Sequence, residues 1–151
     1  MADCCQTLLL AMEAEAAPLV EHLQLKRTPG LLGAVPLTCD CFTGSAHGMS
    51  VTVVTSGKCW RYGVDSVGTV PAALAAYAAL TTLKPDLLLN AGTAGGFRSR
   101  GGSIGDVYVA TAARHHDRRI ELPVFNEYGI WHVDCTTGKK MAEVHGHPFA
   151  P

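Results

Sequence analysis

The sequence predicts an α/β fold with a largely parallel sheet, and three observations support this prediction. Residues 6–11 form a continuous apolar run, which is typical of a strand buried on both faces. An amphipathic segment follows over about 13–25, and a second apolar run, at 86–90, leads into a glycine-rich turn. Strand, helix and strand in this order, with buried runs, indicate parallel strands joined by helical crossovers.

The first helix is predicted from about residue 13 to 25. Pro18 falls within its first turns, where a missing N–H costs least. Apolar side chains recur at helical spacing and form one face. These are Ala16, Leu19, Val20 and Leu23.

The segment after this helix predicts a turn and a hairpin. Residues 27–36 contain proline and glycine and indicate a turn region. Strand-like runs follow at about 37–43 and 50–55, and the segment 44–48 between them predicts a hairpin loop. A further strand is predicted at 104–112, with the sequence IGDVYVATA.

A long loop precedes the second predicted helix. Residues 56–68, SGKCWRYGVDSVG, show no sustained periodicity, and loops of this length inside a domain tend to be functional. The helix is predicted over about 70–83, with Thr69 as its N-cap and Lys84-Pro85 as its end. Its inward stripe is expected to be Val70, Leu74, Tyr77, Ala78 and Thr81.

Composition restricts the class of protein. The chain has 151 residues, 48% of them hydrophobic and 17% charged, which favours one packed domain over disorder. A net charge of −1 gives no reason to expect a nucleic-acid or membrane partner. The chain has six cysteines and shows no secretory signal, so we expect free thiols and a cytoplasmic protein.

Two motifs at predicted strand ends are candidates for chemistry. NAGTAGG, residues 90–96, follows a buried strand, where α/β sheets bind ligands, but it has neither Walker A nor dinucleotide-binding spacing. By pattern it is either a tight structural turn or a ligand cradle. Glu13 and Glu15 follow the first strand, and both suit the first turn of a helix. Because their positions point away from each other on a helix, at most one is expected to face a pocket.

Other catalytic and metal-binding patterns find little support. The tail has an H-x-x-C and an H-x-H segment, but their order and spacing match no common zinc site, so no metal is expected. The residues concerned are His132, Cys135, His145 and His147. G-x-S-x-G does not occur, which argues against covalent catalysis by serine.

Four segments taken together resemble a known family. They are AMEAE at 11–15, GVDSVGTVPA at 63–72, KPDLLLNAGTAGG at 84–96 and HDRR at 116–119. In this order they are similar to the N-terminal half of the 5′-methylthioadenosine/S-adenosylhomocysteine nucleosidases, in particular the plant-type branch. The resemblance spans about residues 6–129. We therefore expect a nucleosidase part at 1–129 and a divergent, poorly ordered tail at 130–151.

The resemblance implies a three-layer α/β/α fold with a central mixed, mostly parallel sheet, like that of the nucleoside phosphorylases. It also implies hydrolysis of 5′-methylthioadenosine to adenine and 5-methylthioribose in methionine salvage, with S-adenosylhomocysteine as a second candidate substrate, by a homodimer without metal or organic cofactor. Glu15 matches the glutamate that activates water, whereas Glu13 would be a helix acid. The expected substrate-binding residues are Ala11, Met12, Thr93, Ala94 and Gly95.

One position separates hydrolase from phosphorylase. Related phosphorylases carry a phosphate-binding arginine where this chain has Asn90, so water is the expected nucleophile. The family's Met-Glu segment, which holds the ribose, and its Ser-Asp pair, which protonates the purine, have no counterpart here. We therefore expect a truncated form with little activity and a tendency to aggregate. The alternatives are a non-catalytic isoform that pairs with full-length subunits and a phosphorylase relative.

Overall fold

The computed structural model describes residues 4–33 and 38–115, together with the backbone of 132–134. The described elements lie in two units, residues 1–95 and 96–151. In the first unit, the elements in chain order are β1 (Cys5–Leu10), α1 (Glu13–His22), β2 (Lys26–Arg27), β3 (Asp40–Ala46), β4 (Met49–Thr55), α2 (Thr69–Leu83) and β5 (Leu87–Asn90). Neither helix is long and apolar enough to cross a membrane, within the part of the chain described.

The five strands of the first unit form a mixed sheet in the order β2-β3-β4-β1-β5. β1 lies between β4 and β5 and is parallel to both. β3 pairs antiparallel with β4, and β2 pairs antiparallel with β3. This sheet confirms the predicted α/β class, and the apolar run at 6–11 is an internal strand of it. The run at 86–90 forms its edge strand β5, whose residues are mostly exposed, so the burial predicted for that strand is wrong.

The two helices cover opposite faces of the sheet. Alternate residues of a strand point to opposite faces, and Leu9 and Leu10 accordingly belong to different apolar clusters. Ala16 of α1 packs in the cluster of Leu10, and Ala78 of α2 packs in that of Leu9. The first unit therefore has the three-layer α/β/α arrangement that was expected.

The predicted face of α1 is confirmed, and the predicted stripe of α2 is wrong except at Ala78. Ala16 is only 1% exposed, whereas in α2 Val70 and Tyr77 are 67% and 69% exposed. The residues of α2 that are buried are small: Ala75, Ala78 and Ala79. Because a helix that presents alanines can approach a sheet closely, the larger side chains face outward. The residue at its N-cap is Gly68 rather than Thr69, which is the first helical residue.

The hairpin is also tighter than expected. β3 continues through residues 44–46, and only His47 and Gly48 separate it from β4. Both turn residues have positive φ, 52° and 75°, as a two-residue hairpin turn of type I′ requires. The two-residue strand β2 (Lys26–Arg27) was not predicted, and its second residue is the first of the predicted turn region.

The strand predicted at 104–112 is wrong except at its last residue. In the second unit, β6 (Ala112–Arg114) pairs antiparallel with β7 (His132–Asp134), and a 3₁₀ turn spans Arg98–Arg100. Residues 104–111 belong to no strand, and Ile104 and Val107 are 98% and 92% exposed. Apolar alternation alone does not make a strand, because a strand needs a hydrogen-bonding neighbour.

Candidate active site at the carboxyl ends of β1 and β5

The sheet places the two candidate motifs side by side. β1 and β5 run parallel with Leu9 opposite Asn90, so both strands end at the same edge. The ladder continues one residue further, where the Ala91 N–H donates to the Leu9 carbonyl at 2.9 Å. The chain after β1 enters α1 while the chain after β5 enters the glycine-rich turn. Residues 11–15 and 91–95 are therefore neighbours.

Glu15 and Thr93 form the direct link between these segments. The backbone N–H of Thr93 donates to Glu15 Oε1 at 2.8 Å, and the Thr93 hydroxyl donates to the same oxygen at 2.7 Å. The two residues are 78 positions apart in the sequence. The structure thus brings together the two polar side chains that the resemblance had singled out.

The other carboxylate oxygen is held by the helix start. The Met12 N–H donates to Glu15 Oε2 at 3.2 Å, which is the contact that a glutamate at the third helical position makes with an N-cap residue. Three donors lie at hydrogen-bond distance from the carboxylate, and the Ala11 N–H has the smallest effect on its pKa, so about one of the roughly four acceptor positions of a carboxylate is not fully used. The half-buried carboxylate can therefore still accept a hydrogen bond from a water molecule or a substrate hydroxyl.

Gly92 makes space for the carboxylate. A Cβ atom at this position would lie 3.2 Å from Glu15 Oε1 and 3.5 Å from Oε2. Gly92 was not among the predicted site residues, although the motif NAGTAGG contains it. Its role follows from close approach of a side chain rather than from an unusual φ, and only the fold shows which side chain approaches.

Hydrogen bonding keeps the Glu15 carboxyl ionised. Its pKa lies below the ordinary value of 4.5, chiefly because the Thr93 N–H and then the Thr93 hydroxyl stabilise the charged form. Partial burial opposes this effect, and the backbone N–H groups of Met12 and Ala11 add to it. At neutral pH the group is a carboxylate, the form required of a hydrogen-bond acceptor or a general base.

Glu13 has different partners. Its carboxylate forms an ion pair with Lys58, with 2.7 Å between Oε2 and Nζ, and its N–H donates to Asp65 Oδ1 at 3.1 Å. Both partners belong to the loop at 56–68, and sequence reasoning found neither contact. The two glutamates are thus divided as expected, with Glu15 at the strand ends and Glu13 outside them.

The other predicted site residues lie in the same two segments, but the structure does not test their roles. Ala11, Ala94 and Gly95 are exposed and Met12 is half-buried. Asn90 ends β5 and is also exposed. The substrate-binding roles of these residues stay predictions.

No set of three His, Cys, Asp or Glu side chains within residues 4–33 and 38–115 is placed to hold a metal ion. HDRR at 116–119 lies outside the described residues, as do Cys135 and the tail histidines His145 and His147, while His132 is described by its backbone alone.

Comparison with known proteins identifies the family. The model of the phosphorylase superfamily matches residues 7–150. A 5′-methylthioadenosine/S-adenosylhomocysteine nucleosidase of Arabidopsis thaliana is 43% identical over 122 residues, which are 81% of this chain and 48% of that protein. The chain therefore spans about half the length of this relative.

Solved structures agree with this result. The apo structure of the 5′-methylthioadenosine nucleosidase of Arabidopsis thaliana matches 89% of this chain and 55% of its own, with a TM-score of 0.81 and 39% identity. An adenine complex of the nucleosidase of Colwellia psychrerythraea matches 82% of this chain and 44% of its own, with a TM-score of 0.61 and 30% identity. By its matched sequence and its fold, the chain belongs to the phosphorylase superfamily.

Proposed function

We propose that this chain carries the water-activating part of a nucleosidase that hydrolyses 5′-methylthioadenosine to adenine and 5-methylthioribose. S-adenosylhomocysteine is the second candidate substrate. The observation that carries the proposal is the ionised Glu15 carboxylate, held by Thr93 where β1 and β5 end. The names of the similar proteins support the substrate class, and one of them was solved with adenine.

The chemistry explains why a carboxylate is needed at this position. Cleavage of an N-glycosidic bond passes through an oxocarbenium-like state, in which the bond to adenine is largely broken before water attacks, as in O-glycoside hydrolysis. Glu15 would orient the water through its free acceptor position and take a proton as the new C–O bond forms. A low pKa suits this role, because the proton moves late and the water attacks a cationic carbon.

The departing adenine also needs a proton, and the resemblance assigns this task to an aspartate beyond the matched half of the family. General acid help to a leaving group is worth about 10²- to 10⁴-fold in rate. We therefore expect the isolated chain to be slower than a complete nucleosidase by about this factor. Positioning of the ribose by a further glutamate, also beyond the matched half, would add to the deficit.

The setting of the reaction is part of the same proposal. We place the protein in the cytoplasm, in methionine salvage, as a homodimer when the family domain is complete. The cysteines for which the structure describes a state, Cys4, Cys5, Cys39, Cys41 and Cys59, are free thiols, which is typical of proteins in reducing compartments. Burial raises the pKa of Cys41 to about 11, so this thiol stays protonated and inert.

Product analysis tests the reaction type. The purified 151-residue chain is incubated with 5′-methylthioadenosine, with and without inorganic phosphate, and adenine and the sugar are quantified by chromatography and mass spectrometry. The expected result is slow release of adenine and free 5-methylthioribose, independent of phosphate. Formation of 5-methylthioribose 1-phosphate that requires phosphate would instead assign the chain to the phosphorylases.

The alternative of a non-catalytic isoform predicts a different outcome. A non-catalytic isoform would release no adenine above the buffer rate but would co-purify with a longer nucleosidase chain. This alternative rests on the coverage of 48% of the Arabidopsis relative. Absence of adenine release by the chain alone would overturn the catalytic proposal and leave this one.

A further inference from the structure

The loop at 56–68 is held in a defined shape by its own hydrogen bonds. Lys58 and Asp65 form an antiparallel bridge, and the Cys59 N–H donates to the Val64 carbonyl at 2.8 Å. The Ser66 N–H donates to the Gly57 carbonyl at 2.8 Å, which closes the base of this small hairpin. The backbone of the segment predicted as a loop is therefore a hydrogen-bonded hairpin with a defined course.

The base of the hairpin is anchored to the segment before β3. The Thr38 hydroxyl donates to the Lys58 carbonyl at 2.8 Å. Gly57 has φ +68°, and a Cβ atom there would lie 1.7 Å from the Thr38 carbonyl oxygen. Only glycine fits such an approach, so the loop is attached closely to the sheet at this point.

Two side chains of the hairpin contact the first residue of α1. Asp65 Oδ1 accepts a hydrogen bond from the Glu13 N–H at 3.1 Å. The Lys58 ammonium lies 2.7 Å from the Glu13 carboxylate. Both contacts are made two residues before Glu15, in the same helical turn.

The first turn of α1 needs such a partner. The first N–H groups of a helix have no acceptor within the helix, and a side chain at the N-cap usually supplies one. Here the N-cap residue is Met12, which has no hydroxyl, amide or carboxylate to offer. Asp65 supplies the missing acceptor from 52 residues away, and its negative charge is favourable at a helix N-terminus.

We propose that Asp65 is a positioning residue for the reaction: by capping α1 from the loop, it holds the turn that carries Glu15 in reach of Thr93. This inference rests on the proposed function only for its consequence in catalysis, because the cap itself is a structural statement. Lys58 contributes less, since its ion pair is exposed, with 54% and 62% of the two side chains accessible.

Two substitutions at one position test the cap. Asp65→Ala removes the acceptor, whereas Asp65→Asn keeps the oxygen and removes only the charge. In hydrogen exchange measured by NMR on the full chain, we expect the Glu13 amide to exchange about tenfold faster in Asp65→Ala, as for loss of a typical cap. Asp65→Asn should stay within about twofold of the wild type, because asparagine caps as well as aspartate does.

The pKa of Glu15 distinguishes a positioning role of Asp65 from a mere effect of its charge, because the two change this pKa in opposite directions. Hydrogen bonds and burial set its pKa, and no charged side chain is among the causes. Removing the nearby negative charge of Asp65 could only lower this pKa, whereas loosening of the Thr93 and Met12 contacts would raise it. We expect a higher ¹³C-carboxyl titration midpoint for Glu15 in Asp65→Ala and an unchanged or lower one in Asp65→Asn.

Each outcome decides the inference. A Glu15 midpoint that is unchanged or lower in Asp65→Ala, or equal effects of the two substitutions, would overturn it. If Asp65→Ala does not fold, hydrogen exchange of the Glu13 amide in the wild-type chain is the test. Rapid exchange of this amide would contradict the cap. Absence of adenine release would count against the proposed function alone, since exchange and titration are read without substrate.

Discussion

Gly92→Ala changes the site with the smallest possible alteration. The added Cβ would lie 3.2 Å from Glu15 Oε1, closer than the about 3.5 Å of ordinary van der Waals contact. The carboxylate must therefore retreat by about 0.3 Å. Oε1 is also the atom that accepts both Thr93 hydrogen bonds, at 2.8 and 2.7 Å, so the retreat stretches them. We expect the pKa of Glu15 to rise towards its ordinary value.

The effect on rate follows from the same displacement. If a misplacement of about 1 Å costs about 10²-fold, then about 0.3 Å costs about fourfold. Adenine release from 5′-methylthioadenosine measures this loss, and Gly96→Ala is the matched control, because a Cβ there has no neighbour within 4 Å among the residues that the structure describes. An unchanged Glu15 midpoint in Gly92→Ala, or equal losses in the two variants, would refute the reasoning.

Further predictions concern three threonines and the response to acid. Thr93→Val removes the 2.7 Å hydroxyl donor but keeps the N–H, and it should slow adenine release about fivefold, because an exposed hydrogen bond to a charge is worth about 1 kcal/mol. Kinetics equal to wild type would contradict this. Thr7→Val should raise the melting temperature by about 2–4 °C, since the Thr7 hydroxyl is fully buried without a partner among the described residues. Thr43→Val is the control and should lower the melting temperature, because it breaks a 2.8 Å hydrogen bond between the hydroxyls of Thr43 and Thr28. A lower melting temperature for Thr7→Val would contradict the prediction. Because the pKa of Glu15 is lowered in the folded chain, its carboxylate contributes stability above its ordinary pKa of 4.5, and this contribution is lost as pH falls through the folded pKa. The free energy of unfolding measured in urea should therefore depend less on pH in Glu15→Gln than in wild type between pH 5 and pH 3 (about the carboxyl range). An equal slope in wild type and variant would exclude this contribution.

The central part of the fold was predictable from the sequence. The run at 6–11 was predicted to be a buried strand and became β1, which lies between two parallel neighbours. The run at 86–90 became the parallel strand β5, but at the edge of the described sheet, where Leu87 and Leu89 are 43% and 40% exposed. The face of α1 followed from its spacing as well. The strand positions and the face of α1 were predicted because apolar runs and helical spacing are visible in the sequence, whereas the burial predicted for β5 was wrong because no described strand pairs with its outer side.

Elsewhere the pattern was misleading for identifiable reasons. In α2 nearly every residue is apolar, so periodicity could not show that the alanine face, rather than Tyr77, packs on the sheet. At 104–111 the apolar alternation was present, but no described strand pairs with these residues. A pattern shows which residues tolerate burial, whereas the fold decides which of them meet a partner.

The candidate site was predicted in part. Glu15 and Thr93 came from the resemblance, and the structure shows them in contact, while their catalytic roles stay predictions. Asp65 and Gly92 were not identified as site residues. Asp65 acts across 52 residues, and Gly92 acts by lacking a side chain, so neither leaves a local signal.

The most direct test of the central claim compares two charge-matched variants of α1. Glu15→Gln removes the carboxylate that accepts hydrogen bonds from Thr93, whereas Glu21→Gln makes the same change at an exposed position of the same helix. We predict that adenine release from 5′-methylthioadenosine falls at least about 10²-fold in Glu15→Gln, as for loss of a general base, and by less than about twofold in Glu21→Gln. Equal rates in the two variants would contradict the claim that Glu15 activates water.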